Sequence, residues 1–567
     1  MLGTWLFQIV TLLFLLTACA FFLGEYMAKV FSGERTFISP ILAPVENFLY
    51  KLFGIDPNED MNWKTFAMNV IFFIFVGMIA LFFLLRMQDS LPLNLNNFKA
   101  IRWDAAINAA ISFVTNSDWQ PYKSEAVMSY LTRMLGMGLQ NFLSAATGMA
   151  VAVALINAFV RKNTPGIGNF WVYLTRSIIY VLLPLSIVLS LFLVSQGSIA
   201  NLNPYVHIKT LEGKEQIIAQ GPAAPQIAIK QLGTSGGGFF AANSAHPYEN
   251  PTPITDYVNI LALLLIAAAF PFAFGALIKD RSQGWAIFIA MMLLFIIGLW
   301  FVIWSELHGN PLLTKLGIHN GVNMEGKEVR FGPLASAFFA NSATATSAGA
   351  ASSSYDSLMP LTGIVLIFNM AIGEVIFGGV GSGFIGMMFY VMLTMFLIGL
   401  MIGRSPEVYG KKLEAYEMIM IVSALFLPCA LQLILSAIAV SISAGTSSLG
   451  NPTFHGLSEV IYAYASGVGN NGSAFAGLKA DTPFYNLTIA FAMLAGYLIT
   501  IIPALAVAGS ITQKNSSPLA TRFPTNRPLF ILVLVGIIFI IGALTFFPAL
   551  VLGPVVEHLY ILSGKTF

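Results

Sequence analysis

Charge is what this chain has least of. Only 10% of its 567 residues are Asp, Glu, Lys or Arg, against roughly 25% in a soluble protein. A further 57% are hydrophobic, which excludes a soluble domain and describes an integral membrane protein. Lipid offers the backbone no hydrogen-bond partner, so most of the chain must be helix. Basic runs are also missing, and a net charge of +2 cannot track a phosphate backbone, so no nucleic acid partner is expected. The only two cysteines, Cys19 and Cys429, lie in apolar stretches, which excludes a disulfide framework. His207, His246, His308, His319, His455 and His558 are scattered without metal-ligand spacing. They read as exposed polar residues, and no transition-metal site is expected. The chain has no Walker motif, no Asp-Lys-Thr-Gly-Thr phosphorylation sequence and no hydrolytic triad. Any ATP hydrolysis would belong to another polypeptide, and no organic cofactor is expected.

What is present is a set of long apolar runs. A membrane span needs about 20 mostly apolar residues. Ten stretches qualify: roughly 2–24, 66–86, 125–160, 170–195, 256–279, 283–305, 356–402, 415–442, 483–510 and 527–552. Leu16-Thr17-Ala18-Cys19 has the form of a lipoprotein cleavage box, but no Lys or Arg precedes it. Residues 2–24 therefore read as a retained first span. Residues 356–402 are too long for one straight helix and hold Asn369, Glu374 and a glycine run, so that helix is expected to break within the membrane.

Between spans two to nine lie four polar segments at near-even spacing. They are Thr115-Asn116-Ser117-Asp118-Trp119, Thr234-Ser235-Gly236-Gly237-Gly238, Thr344-Ala345-Thr346-Ser347-Ala348-Gly349 and Gly469-Asn470-Asn471-Gly472-Ser473. Asp118, Gly236, Gly349 and Gly472 are 118, 113 and 123 residues apart in turn. Before each segment runs a moderately apolar stretch too short to span: 104–114, 221–233, 333–343 and 454–466. That length fits a re-entrant pore helix. The expected fold is an all-α polytopic membrane protein of four pseudo-repeated helix, pore helix, filter, helix units, with one extra helix at each end and ten transmembrane helices. The boundaries are 1–30 for the N-terminal helix, then 66–160, 170–279, 283–402 and 415–510 for the repeats, and 527–552 for the C-terminal helix.

Four such segments can close a ring. A ring of backbone carbonyls is how a protein holds a dehydrated K⁺ ion. The expected filter residues are Thr115, Asn116, Ser117, Asp118, Thr234, Ser235, Gly236, Thr346, Ser347, Ala348, Gly349, Asn470, Asn471 and Gly472. Glycine would permit positive φ in an extended filter strand, and Gly236, Gly349 and Gly472 suit that role; the first segment has no glycine. Any one segment alone reads as a turn between helices. K⁺ would be bound as substrate by backbone carbonyls. Glu374 is an ionisable group inside an apolar stretch, which marks it as a candidate for the ion path. The short connections carry most of the basic residues, such as Arg161, Lys162, Arg281, Arg404, Lys411, Lys412, Lys514 and Arg522. Basic short loops stay cytoplasmic, so Met1 and the four filter loops face outward. Arg404, Lys411 and Lys412 also suit contact with lipid headgroups. Arg133 and Arg176, within helices, suit an interface or a buried carboxylate.

Gly233-Thr234-Ser235-Gly236-Gly237-Gly238-Phe239-Phe240, Ile372-Gly373-Glu374-Val375-Ile376-Phe377-Gly378-Gly379-Val380-Gly381-Ser382-Gly383 and Asn470-Asn471-Gly472-Ser473-Ala474-Phe475 carry a resemblance. They are similar to the potassium-binding A subunits of the Kdp potassium-transporting ATPases, within the superfamily of potassium transporters with four pore-loop repeats. The resemblance covers nearly the whole chain. It implies a K⁺-binding and translocating subunit that delivers the ion to a separate P-type ATPase B subunit. A C subunit and a small single-helix subunit would complete the complex, in a bacterial or archaeal cytoplasmic (inner) membrane. It also implies that Gln120 lies near the pore and that Gly378, Gly379 and Gly381 form a hinge or gate. The chain departs from the family pattern at Asp118, where a neutral Asn is usual, and at Tyr497, where an Arg is common. The alternative is a self-sufficient K⁺ channel or cation symporter of the same superfamily.

Overall fold

The computed structural model describes residues 2–317, 322–515 and 523–565. Expectations on Met1, His319 and Arg522 lie outside the described residues. Ten helices among the described residues are long and apolar enough to cross a membrane: Trp5–Ser32, Trp63–Arg86, Thr132–Val160, Phe170–Ser195, Pro253–Leu277, Arg281–Lys315, Ser382–Ile402, Ala415–Ser441, Pro483–Thr512 and Pro528–Leu562. Among the described residues, strand is confined to three two-stranded pairings, one of them an exposed hairpin of Val206–Lys209 with Glu215–Ile218.

One element order occurs four times. A long helix is followed by a short helix, a polar segment and a second long helix. The short helices are Trp103–Val114, Ala223–Leu232, Gly332–Ala345 and Thr453–Gly469, close to the four expected stretches. Local chemistry starts the helices where the polar loops end. Thr252 and Thr482 each accept a hydrogen bond from the amide three residues on, and proline follows each as the first helical residue. Both features favour a helix start, since proline gives up an amide that would be unpaired there.

The expected break lies in the third unit. Its second long helix is split into Pro360–Ala371 and Ser382–Ile402. Between them Gly373, Glu374, Phe377, Gly378 and Gly381 all have positive φ, which no helix accommodates. The stretch 125–160 also differs from a simple span. A four-residue helix at Ser124–Val127 stands apart, and the long helix opens at Thr132 with a widened turn.

Burial sorts the helices. Helix Leu2–Ser32 leaves Leu6, Phe7, Phe14 and Phe22 exposed, and the last helix leaves Leu529, Leu532, Leu544 and Phe547 exposed. With Trp63–Arg86 and Ala415–Ser441 they are the least buried of the ten long helices and form the apolar periphery. Helices Thr132–Val160 and Pro253–Leu277 are mostly buried and frame the centre. An unexpected helix, Ser39–Phe53, follows the first one, with Ile41, Val45, Phe48 and Leu52 exposed. Its Glu46 is buried and takes hydrogen bonds from Arg176 at 2.9 Å, Tyr50 at 2.6 Å and Tyr180 at 2.8 Å. Arg176 thus reaches a buried carboxylate, as its place in a helix suggests.

Several polar residues sit elsewhere than the sequence suggests. Arg133 reaches no carboxylate; it donates to the Phe239 carbonyl at 2.8 Å and lies 3.8 Å over the Phe239 ring. Lys411 is buried rather than facing headgroups, with Nζ on the carbonyls of Arg161 (2.9 Å) and Lys514 (2.6 Å). Arg404 and Lys412 are exposed. His207 and His308 are exposed, but His455 is buried between Asp356 and Glu557, at 3.1 and 2.8 Å. His246 stacks on Phe240 with centroids 3.8 Å apart. His455 finds its partners about a hundred residues away, which spacing along the chain does not reveal, whereas His246 packs within its own loop.

Candidate functional site

Each polar segment leaves its short helix in the same way. The backbone amides of Ser117, Ser235, Ala348 and Asn471 donate five residues back, to the carbonyls of Ser112, Lys230, Ala343 and Ser466. The distances are 2.9, 3.0, 2.9 and 2.8 Å. The residue before each of these amides is left-handed: Asn116 (φ 62°), Thr234 (45°), Ser347 (52°) and Asn470 (58°). The residue after each is Asp118, Gly236, Gly349 or Gly472. The four segments therefore share one register, and these last four residues are equivalent.

The segments meet in a closed ring. A Cβ on Gly236 would lie 2.7 Å from the Ser117 carbonyl oxygen and 2.7 Å from Gly349 Cα. A Cβ on Gly349 would lie 2.8 Å from the Gly472 carbonyl carbon. A Cβ on Gly472 would strike the Ser117 carbonyl oxygen. Segment one thus touches two, two touches three, three touches four, and four returns to one. Hydrogen bonds follow the same circuit. Asn116 Nδ2 donates to the Gly233 and Thr234 carbonyls, and Asn116 Oδ1 accepts from Ser235 Oγ at 2.8 Å. The Gly349 amide donates to the Ser235 carbonyl at 3.1 Å. Asn471 Nδ2 donates to the Ala343 carbonyl at 3.3 Å, and Asn470 Nδ2 donates to Ser117 Oγ at 2.8 Å.

This geometry changes the reason for the glycines. Among Gly236, Gly349 and Gly472, only Gly472 has positive φ (93°). The first two are glycine because the neighbouring backbone leaves no room for a Cβ. Left-handed conformation falls instead on Asn, Thr and Ser, with Asp118 (φ 52°) a further case. Such strain persists only where surrounding structure holds it, and Asn116 and Asn470 are held by the hydrogen bonds just given. Thr115 and Thr346 return their hydroxyls to carbonyls of their own short helices, Ile111 and Ser342.

Two spaces flank the ring. The later residues of the segments, Asp118, Gly237, Gly349 and Gly472, line a recess of about 690 Å³ together with Gln120 and Asn243. Gln120 Oε1 accepts from the Gly238 amide at 2.9 Å, which ties the first segment to the second. The earlier residues Thr115, Asn116, Ser347 and Asn470 line a second cavity of about 90 Å³ with Glu374, Gln432 and Tyr497. That volume holds about three waters at ~30 Å³ each. Glu374 is 3% exposed, and its Oε1, Gln432 Nε2 and the Tyr497 hydroxyl have no hydrogen-bond partner among the described residues. Three unpaired polar atoms in one small cavity make it a polar space and not a packing void.

The break run packs beneath the third segment. The Gly378 amide donates to the Ala345 carbonyl at 2.8 Å and the Val380 amide to Thr234 Oγ1 at 2.8 Å. A Cβ on Gly379 would meet Ser347 Cβ at 3.3 Å, and one on Gly148 would meet the Val380 carbonyl oxygen at 2.5 Å. Gly378 and Gly379 therefore adjoin the third segment and Gly381 packs on Gly148, while Glu374, Val380 and Ser382 of the same run line the second cavity. Thr115 to Asp118, Thr234 to Gly236, Thr346 to Gly349 and Asn470 to Gly472 all lie in or beside the ring, with Gln120 and Glu374 on its two sides.

Sequence reasoning missed the support behind the second segment. Lys230 Nζ lies 2.7 Å from both Glu249 Oε2 and Asn243 Oδ1, and both charged side chains are fully buried. Asn243 Nδ2 in turn donates to the carbonyls of Gly237 and Gly349. The third unit holds a second fully buried pair, Lys327 with Glu306 at 2.8 Å. A lysine inside the apolar stretch 221–233 was the available signal.

Comparison with known proteins follows the same pattern. A family model described as "Potassium-transporting ATPase A subunit" matches residues 10–559. A Brucella anthropi protein described as "Potassium-transporting ATPase potassium-binding subunit" is 50% identical over 547 residues, covering 96% of each chain. A Herpetosiphon aurantiacus protein of the same description is 48% identical over 576 residues, covering 99% of each. Among solved structures, the potassium transporter TrkH from Vibrio parahaemolyticus aligns with a TM-score of 0.51 at 15% identity, covering 87% of this chain and 96% of that one. At that identity the likeness concerns the fold alone.

Proposed function

Because the chain belongs to the potassium-transporting ATPase A subunit family, we propose that it is the potassium-binding and translocating subunit of an ATP-driven K⁺ uptake complex. It is a multi-pass membrane protein with ten apolar helices. The observation that carries the reading is the closed ring of four equivalent segments. A dehydrated cation needs several oxygens at once, and backbone carbonyls on a common ring replace its water. One left-handed residue at the head of each segment, Asn116, Thr234, Ser347 or Asn470, turns the chain out of its short helix and into the ring. The ring's hydrogen bonds and tight glycine contacts hold that geometry before an ion arrives.

In this reading the four repeats are 66–160, 170–279, 283–402 and 415–510, flanked by end helices 1–30 and 527–552. The large recess faces the outside of a bacterial or archaeal cytoplasmic membrane and admits K⁺ to the ring. The ion then enters the small cavity, where the Glu374 carboxyl offers it an unpaired oxygen, and the run containing Gly378, Gly379 and Gly381 gates its exit. A P-type ATPase B subunit receives the ion and hydrolyses ATP, with a C subunit and a small single-helix subunit completing the assembly.

The test is ⁸⁶Rb⁺ and K⁺ uptake into vesicles, for this chain alone and for the complete complex. Uptake that requires the ATPase subunit and ATP supports the proposal. Uptake by this chain alone at rates set by the membrane potential refutes it in favour of a channel or symporter.

A further inference from the structure

The four ring positions differ in charge. Gly236, Gly349 and Gly472 hold three of them and Asp118 the fourth. Asp118 is fully buried, and neither carboxylate oxygen has a well-formed hydrogen bond among the described residues. The polar groups that face it are the Gly236 amide and the Asn141 side chain, and Lys230 is the cation that acts on it. Asn141 is neutral, buried and itself without a well-formed partner. Lys230 is already matched by Glu249 at 2.7 Å. Tyr122, which also feels Asp118, is an uncharged phenol. Burial pushes the Asp118 carboxyl well above the usual carboxylate range, so with the ring empty the neutral acid is favoured. A cation held in the ring favours the ionised form, which then carries one negative charge beyond the matched Lys230–Glu249 pair.

We propose that the Asp118 carboxylate is the negative charge of this filter, balanced by the bound cation itself, and that it sets how the ring discriminates cations by valence. The proposal rests on the reading of the ring as a cation filter and goes beyond it. Carbonyl dipoles and a full charge both act in proportion to the charge of the ion, but the carboxylate adds a separate Coulomb contribution that one neutral substitution removes. Ba²⁺, close to K⁺ in radius, feels the carboxylate twice as strongly. It should be a competitive blocker whose strength depends on Asp118 more steeply than K⁺ binding does.

The experiment uses the assembled complex, with K⁺-stimulated ATP hydrolysis titrated against K⁺ and against Ba²⁺ as inhibitor. For Asp118→Asn the expected rise in the K⁺ half-saturation concentration is roughly tenfold, and that in the Ba²⁺ inhibition constant roughly a hundredfold, since the Coulomb energy doubles with ion charge. Asp118→Glu keeps the charge and should keep the ratio of the two constants. Asp118→Ser is a second neutral variant read by the same ratio. Equal shifts for both ions, or no shift in either, overturn the proposal. Gly236→Ala separates the two levels. If it too leaves the K⁺ response unchanged, the filter reading fails. If it weakens K⁺ while Asp118→Asn is silent, only the role of Asp118 fails.

Discussion

Gly236→Ala tests the ring where its geometry is tightest. Gly236 has ordinary φ, so alanine there introduces no left-handed strain and its effect is steric. The new Cβ would lie 2.7 Å from both the Ser117 carbonyl oxygen and Gly349 Cα. Comfortable separation is roughly 3.5 Å, so the first and third segments must together give way by about 0.8 Å. Overpacking of this kind costs about 1–3 kcal/mol. The segments are held by their hydrogen bonds, and the atom displaced is a ring carbonyl, so the cost falls on the ion-loaded geometry. If all of it appears in binding, K⁺ affinity drops by roughly 5- to 150-fold. K⁺-stimulated ATP hydrolysis of the assembled complex, titrated with K⁺, Rb⁺ and Na⁺, reads both the loss and the changed preference among ions. Gly536→Ala is the control, because a Cβ there meets nothing within 4 Å, and it should leave every constant unchanged. An assembled Gly236→Ala complex with wild-type half-saturation and wild-type ion preference would refute the argument.

Three further perturbations follow from other contacts. Glu374→Gln replaces one carboxyl oxygen of the small cavity by an amide donor and keeps its shape; turnover at saturating K⁺ should fall about tenfold, some 1.4 kcal/mol of barrier, while half-saturation barely moves. Steady-state kinetics with both constants unchanged would remove Glu374 from the path. Burial opposes the charge on His455, but hydrogen bonds to Asp356 and Glu557 outweigh it and push the ring up to about 10. Its folded value exceeds the usual 6.5, so its stabilisation is complete below pH 6.5 and is lost as pH rises from 6.5 through 10. Removing one partner of a buried ion pair costs about 3 kcal/mol, so His455→Gln should lower thermal stability at pH 6 and converge on wild type near pH 10. A gap independent of pH would disprove the charge assignment. Lys411→Met takes the donor from the half-buried carbonyls of Arg161 and Lys514, a loss of about 1 kcal/mol each; thermal unfolding in detergent should show a lower midpoint, and an unchanged midpoint would refute a stabilising role for the amine.

Much of the fold was legible because lipid imposes a simple rule. Apolar runs of span length become helices, and the ten expected spans have ten counterparts among the described residues. The re-entrant helices were legible from a length too short to cross and a polarity too low for a free loop. The break at residues 372–381 was readable from Glu374 and the glycines around it. The helix Ser39–Phe53 was not read, because it lies in a connection whose Lys, Arg, Asp and Glu residues were weighed only as markers of orientation. Nor could His455 and Lys411 be placed, since their partners lie on elements far along the chain. His455 is about a hundred residues from both Asp356 and Glu557.

Composition and run length are enough to specify a helical membrane protein with four polar segments set behind four short helices. What the segments do to one another is a matter of packing. It set them in a common register, closed them into a ring, and made Gly236 and Gly349 necessary for close approach rather than for φ. It also placed Asp118 beside an already matched Lys230. Those outcomes depend on distances between residues more than a hundred positions apart, which are set by how the long helices pack and not by any local pattern.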